Sequence, residues 1–244
     1  MIGFRARPPA AQSLPLFTRD GTPEPIVIRR IANARTMRLV IDPRDGQVRL
    51  TLPPRAGLRA AVAWVESKRD WIEAELARVP IARPFAPDAR FPLGGSEATI
   101  DWAATHPRTP RLDGDRLIVG GPLDALNMRV VRWLRARALS LLDAETRAYA
   151  DDAAVVVGAV TIGDARGRWG SCAASGDIRY SWRLILAPAA VRRATVAHEV
   201  AHRLHMDHSP AFHAAAARLF GRDPVAERAW LRAHGASLHW WGRA

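Results

Sequence analysis

The chain has one cysteine, one lysine and no apolar run of membrane-spanning length. A lone cysteine, Cys172, excludes an internal disulfide framework and fits a reducing compartment. No stretch approaches the roughly 18 consecutive apolar residues of a membrane helix, so a membrane partner is not expected. The N-terminal segment MIGFRARPPAAQSLPLF lacks the unbroken apolar core of a signal peptide and is interrupted by three prolines. A cytoplasmic protein is therefore expected. Because Lys68 is the only lysine, the net charge of +12 is almost entirely arginine. Arginine in company with abundant alanine is what a GC-rich genome produces through codon bias, and these arginines are scattered along the chain. The charge permits a nucleic-acid partner, yet there is no basic tail, no DNA-binding motif and no aromatic–basic alternation of the kind that grips single strands.

What is present describes a folded protein. A chain of 244 residues, 48% apolar with nine tryptophans, can bury a sizeable core. Residues 1–24 are rich in Pro, Arg and Ala without periodicity and read as a flexible tail. Strands are expected from Ile26, over Met37–Ile41 and over Val48–Leu52, the last two flanking Asp45-Gly46 as a hairpin. Apolar residues from Leu58 to Val79 recur at helical spacing and stop before Pro80. Short strands come next, near Ala98–Trp102 and Arg116–Val119. Gly120-Gly121-Pro122 marks the expected junction, dividing a β-rich region, 25–120, from a second part, 121–244. Beyond it, Leu126, Val130, Trp133, Leu134 and Leu141 outline a long helix to about Ala150. Strands over Val155–Ile162 and Ile178–Leu186 precede a helix opened by Pro188. Two shorter helices, near Phe212–Phe220 and Val225–His234, complete the chain.

The helix after Pro188 carries His198-Glu199-Val200-Ala201-His202. Four residues turn a helix by about 400°, so both imidazoles leave one face, a turn apart. That spacing suits one zinc held by two nitrogens, with Glu199 placed to reach a water beside it. Seven of the eight histidines lie after residue 197, which a merely solvated helix would not explain. A catalytic zinc wants three protein ligands and one open position. His205, His208, His213 and Glu227 are the candidates for the third. On a straight helix His205 lies about 10 Å along the axis from His198, too far to share an ion. His208 stands before Ser209-Pro210, where a turn can fold its ring back onto the pair; His213 is the reserve. The 198/202/208 spacing is that of the metzincins, but His205 occupies their turn glycine and no methionine turn is recognisable.

Arg168-Trp169-Gly170-Ser171-Cys172, the run Ile178–Pro188 and HEVAHRLHMDHSPAF together resemble the YgjP-like metallopeptidases, more distant relatives of the SprT and WLM proteins. The resemblance extends over about residues 25–235, with Pro53-Pro54 and Lys68–Ile72 matching the family's N-terminal part. It implies one zinc per chain on His198, His202 and His208, and Glu199 as the catalytic acid/base. Three positions depart from the family's pattern: His213 for a tryptophan, and Ser181 and Asp207 for asparagines. The expected architecture is α+β, an antiparallel β-rich N-terminal part followed by a zincin-like part with a small sheet packed on the HExxH helix.

The expected chemistry is hydrolysis of a peptide or protein by a metal-activated water, with Glu199 as general base. Arg168, Tyr180 and His205 are candidates to line the pocket or stabilise the oxyanion. Cys172 reads as a small apolar residue rather than a fourth ligand. Three alternatives remain: hydrolysis of a non-peptide bond such as a nucleotide phosphoanhydride, proteolysis associated with DNA, and a binding module with a structural metal.

Overall fold

The fold is given by a computed structural model, which describes residues 12–19 and 22–243, with side chains from Ile26 onward. Among the described residues, six helices and three small mixed sheets make an α+β fold. The chain divides into two compact units, Met1–Ile81 and Ala82–Ala244.

The first unit holds strands β1 (Gln12–Arg19), β2 (Thr22–Arg30), β3 (Arg38–Ile41) and β4 (Val48–Leu52), then helices α1 (Leu58–Glu66) and α2 (Arg69–Ala77). Its sheet runs β1-β2-β4-β3. The segment expected as a tail thus includes β1 and the start of β2, while residues 1–11, 20 and 21 lie outside the described residues. The prolines that masked these strands sit where a missing N–H is tolerated. Pro15 is on the edge strand beside a register shift, and Pro23 and Pro25 precede Val27, where pairing with β4 begins. The sheet is not wholly antiparallel: β2 and β4 run parallel, because the β3–β4 hairpin inserts β4 between β2 and β3. Val48, Leu50 and Leu52 alternate inward onto Ala61, Val65, Ile72 and Leu76. The helix expected over 58–79 breaks in two because the Ser67 hydroxyl donates to the Trp64 carbonyl (2.7 Å) and Lys68 leaves helical geometry.

At the hairpin, buried Asp42 accepts hydrogen bonds from Arg44 Nε and Nη2 (both 2.7 Å), from the Arg44 backbone N–H and from Arg49. Burial alone would raise this carboxyl's pKa, but those bonds hold it well below the usual carboxylate range. A depressed folded pKa stabilises above the unfolded value of about 4, and that contribution is lost as pH falls below it. Asp42→Asn should therefore destabilise the protein by about 1–3 kcal/mol at pH 7. Denaturation at pH 7 and pH 3 should show the gap from wild type narrowing with acid; an equal gap at both would refute the assignment.

The second unit begins with β5 (Arg90–Leu93), β6 (Ser96–Trp102), β7 (Arg111–Asp113) and β8 (Arg116–Val119), ordered β5-β6-β8-β7. Its outer pairs are antiparallel and its central pair parallel, repeating the topology of the first sheet. Gly120 and Gly121, expected at the junction, lie inside this unit. The Gly120 N–H donates to the Pro107 carbonyl, and the two glycine carbonyls accept from Arg129 and Trp102. A Cβ on Gly120 would sit 1.8 Å from the His106 carbonyl oxygen, so glycine serves close packing here and not a linker.

Helix α3 (Leu126–Asp152) organises the remainder of the unit. Its buried positions, 126, 130, 134, 138, 142, 146 and 150, advance in steps of four. Each step overshoots a full turn by about 40°, so the buried stripe winds around the helix and meets different partners along its length. Near its start Asn127 accepts from the Phe85 N–H and donates to the Gly242 carbonyl. Near its end Thr146 bonds the Tyr180 hydroxyl (3.0 Å), and Glu145 grips buried Arg192 through two bonds of 2.7 and 2.9 Å. The last sheet holds β9 (Val160–Gly163), β10 (Gly170–Cys172) and β11 (Ile178–Ser181), in the order β10-β11-β9. A 3-10 turn, Trp182–Leu186, leads to α4 (Ala189–Ala201), α5 (Pro210–Phe220) and α6 (Val225–Leu238).

Candidate metal centre

Buried Val196, Ala197, Val200 and Ala201 fix α4 in the core and leave His198 facing outward, half-buried. The helix stops at Ala201, so His202 occupies its C-cap instead of an interior turn. Two tight bonds, Arg203 N–H to Val200 O (2.8 Å) and Leu204 N–H to Ala201 O (3.0 Å), take the chain off the axis. Among the described non-glycine residues only Asp88 and Ala154 have positive φ, so His205 makes no left-handed turn. Its carbonyl instead lies 3.2 Å from His202 Nδ1, which it can accept from, leaving Nε2 of His202 free as a lone-pair donor. Asp207 accepts from the Ser209 N–H, and the Ser209 hydroxyl accepts from the Phe212 N–H to cap α5. This short, doubly capped link delivers exposed His208 to the α4 pair.

The donor nitrogens of His198, His202 and His208 all lie within 4.8 Å of one another. Nε2 of His208 and Nε2 of His198 are 3.3 Å apart. Two nitrogens bound tetrahedrally to one zinc at about 2.0–2.1 Å stand about 3.3–3.4 Å from each other. The three rings thus fit a single small divalent ion. Burial, together with neighbouring His202 and His208, pushes His198 down to about 4, and burial lowers His202 as well. Imidazoles kept neutral in this way are the form that ligates metal. Phe212, fully buried, lies beneath all three, its ring centroid 4.8, 4.5 and 4.8 Å from those of His198, His202 and His208. Sequence reasoning placed Phe212 at a helix start and within the motif HEVAHRLHMDHSPAF, four residues after His208, but gave it no role at the site.

Glu199 is 5% exposed and borders a cavity of about 710 Å³ that also reaches His198, Arg168 and His213. Burial pushes its carboxyl up to about 7, against the opposing pull of the Arg168 charge. Gly170 on β10 makes room for it: a Cβ there would lie 2.4 Å from Glu199 Oε1 and 2.6 Å from its Cγ. The sequence marks this glycine only as part of the motif Arg168–Cys172; its contact with Glu199 spans 29 positions and leaves no local signal. Of the candidates for the pocket, Arg168 lines the cavity. Tyr180 does not: its hydroxyl is tied to Thr146 in the core, and burial pushes its pKa up. His205 contributes its carbonyl to His202, and its side chain is not among the cavity walls. His213 and Glu227 stay outside the three-histidine cluster; His213 lines the cavity, and buried Glu227 is paired with Arg222. Cys172 is half-buried, its thiol raised by burial, and it too lies outside the cluster.

No curated protein and no solved structure matches the chain. A family model, described as the YgjP-like metallopeptidase domain, matches residues 35–234. That match covers most of both units, includes the HExxH helix and the His208 link, and brings with it a metal and a peptide or protein substrate. The chain belongs to the YgjP-like metallopeptidase family.

Proposed function

We propose that this protein is a zinc-dependent peptidase in which His198, His202 and His208 hold the metal and Glu199 is the general base. The observation that carries the reading is the convergence of three imidazoles beside an otherwise unbonded, buried carboxylate at the edge of a cavity. Three imidazole nitrogens with room for a fourth ligand are the donor set of a catalytic zinc. When bound, zinc supplies Lewis acidity toward the scissile carbonyl and toward water. Glu199, held near 7 by burial, can accept a proton from the attacking water at neutral pH and pass it to the amine nitrogen as the C–N bond breaks. Phe212 keeps the three rings in one arrangement, and Gly170 lets the carboxylate lie against the edge of β10. The cavity supports a peptide over a nucleotide. Its walls include Val191, Ala194, Ala217 and Leu231, and of its two arginines Arg228 is paired with Asp223, which leaves Arg168 as a single guanidinium where a polyphosphate would want several cations.

The test is metal content by mass spectrometry on protein purified without chelator or added metal, alongside hydrolysis of casein. About one zinc per chain is expected in wild type and its loss in His208→Ala, since one imidazole of three is removed. A wild type that takes up no zinc when offered it would overturn the assignment.

A further inference from the structure

The cavity beside Glu199 is walled by apolar residues from α4, α5 and α6, yet four charged residues other than Glu199 also line it. Three are already neutralised. Asp223 pairs with Arg228 (2.9 Å), and buried Glu227 pairs with Arg222. Arg168, on the segment before β10, is the exception: among the described residues it has no hydrogen-bond or ion-pair partner. It is exposed, adjoins the half-buried Trp169, and lines the same cavity as Glu199. An apolar cavity with one uncommitted guanidinium at its wall is complementary to a group that is apolar with a single negative charge. A guanidinium pairs with a carboxylate through two parallel bonds, which fixes orientation as well as adding affinity.

We propose that Arg168 is a specificity residue that binds a carboxylate of the peptide substrate while the adjoining cavity takes an apolar side chain. The carboxylate comes from the peptide's free C-terminus or from an acidic side chain, and the peptide is oriented by it against Glu199. This assignment rests on the peptidase reading for its meaning in catalysis, but it can be tested by binding alone.

Calorimetry on the full-length protein as isolated would compare three probes: N-acetyl-leucine, N-acetyl-leucinamide and N-acetyl-glutamic acid amide. Wild type should bind N-acetyl-leucine roughly 10-fold or more tightly than its amide, the range of a charge-assisted pair. Arg168→Met should abolish that preference, and Arg168→Lys should keep part of it. Because Arg168 is exposed, neither change should disturb folding. Binding of the glutamic acid amide as tightly as N-acetyl-leucine would assign the carboxylate to a side chain; weaker binding would assign it to the C-terminus. Equal affinities for acid and amide, no binding of either at millimolar concentration, or a preference that survives Arg168→Met would overturn the proposal. Peptide hydrolysis separates it from an oxyanion role. Carboxylate recognition predicts that Arg168→Met raises KM for acids alone, whereas an equal fall in kcat for acids and amides would overturn it. Failure of casein hydrolysis with the acid preference intact would count against the peptidase reading, not against the pairing.

Discussion

Glu199→Gln is expected to lower peptide turnover roughly 10²–10⁴-fold while leaving metal content at the wild-type level. Glutamine keeps the shape of the side chain but cannot accept a proton. Glu199 has no other duty in the fold: it forms no hydrogen bond or ion pair among the described residues. Its buried position should tolerate a neutral amide at least as well as a carboxyl already raised to about 7. Stability should therefore hold, and loss of activity should stand alone. The measurement pairs kcat on a defined peptide with zinc analysis on the same sample. Undiminished activity in the variant would show that Glu199 is a spectator and would favour a structural metal.

The second large effect is expected from a residue with no chemistry. Gly170→Ala places a Cβ 2.4 Å from Glu199 Oε1 and 2.7 Å from its Cδ, distances no packed structure sustains. Either β10 shifts or the carboxylate does. The carboxylate is the softer element, because Gly170 is held in register with Tyr180 on β11, whose ring is locked in the core. A displacement of about 1 Å at a catalytic group can cost on the order of 10²-fold in rate. The expected signature is a fall of that size in kcat/KM, with zinc retained and at most about 1–3 kcal/mol of stability lost. A Gly170→Ala enzyme of wild-type rate would mean that β10 does not set the position of Glu199.

The parts of the site that were legible in the sequence are those written within a few positions of each other. His198, Glu199 and His202 follow from helical periodicity, and His208 from a turn signal at Ser209-Pro210; the structure clusters the three histidines and puts Glu199 on the cavity that His198 also lines. Long-range contacts were not legible. Gly170 under Glu199, Phe212 under His198 and His202, and Thr146 on Tyr180 each join residues on different elements, which no local pattern announces. The Tyr180 hydroxyl was expected as a site donor because a tyrosine near the motif reads the same whether its ring points to the pocket or the core. The same division holds for the fold. Helix α3 was visible in its apolar spacing, and the β3–β4 hairpin in Asp45-Gly46. β1 was hidden by Pro15, and β10 is too short, at three residues, to show alternation. The parallel pairings β2–β4 and β6–β8 are not local at all, and no single strand's pattern announces which neighbour it takes.

The winding stripe of α3 makes that helix a gauge of length. Inserting or deleting one residue in its middle would rotate everything beyond by about 100°. Asn127 could then hold its loop carbonyl only if Glu145 released Arg192 and Thr146 released Tyr180, since the two ends would be out of phase. Substitutions along α3 can be absorbed one side chain at a time, whereas a change of length cannot. Variation in chain length among proteins of this architecture should accordingly be confined to the connections flanking α3, leaving the interval between its two anchoring ends constant.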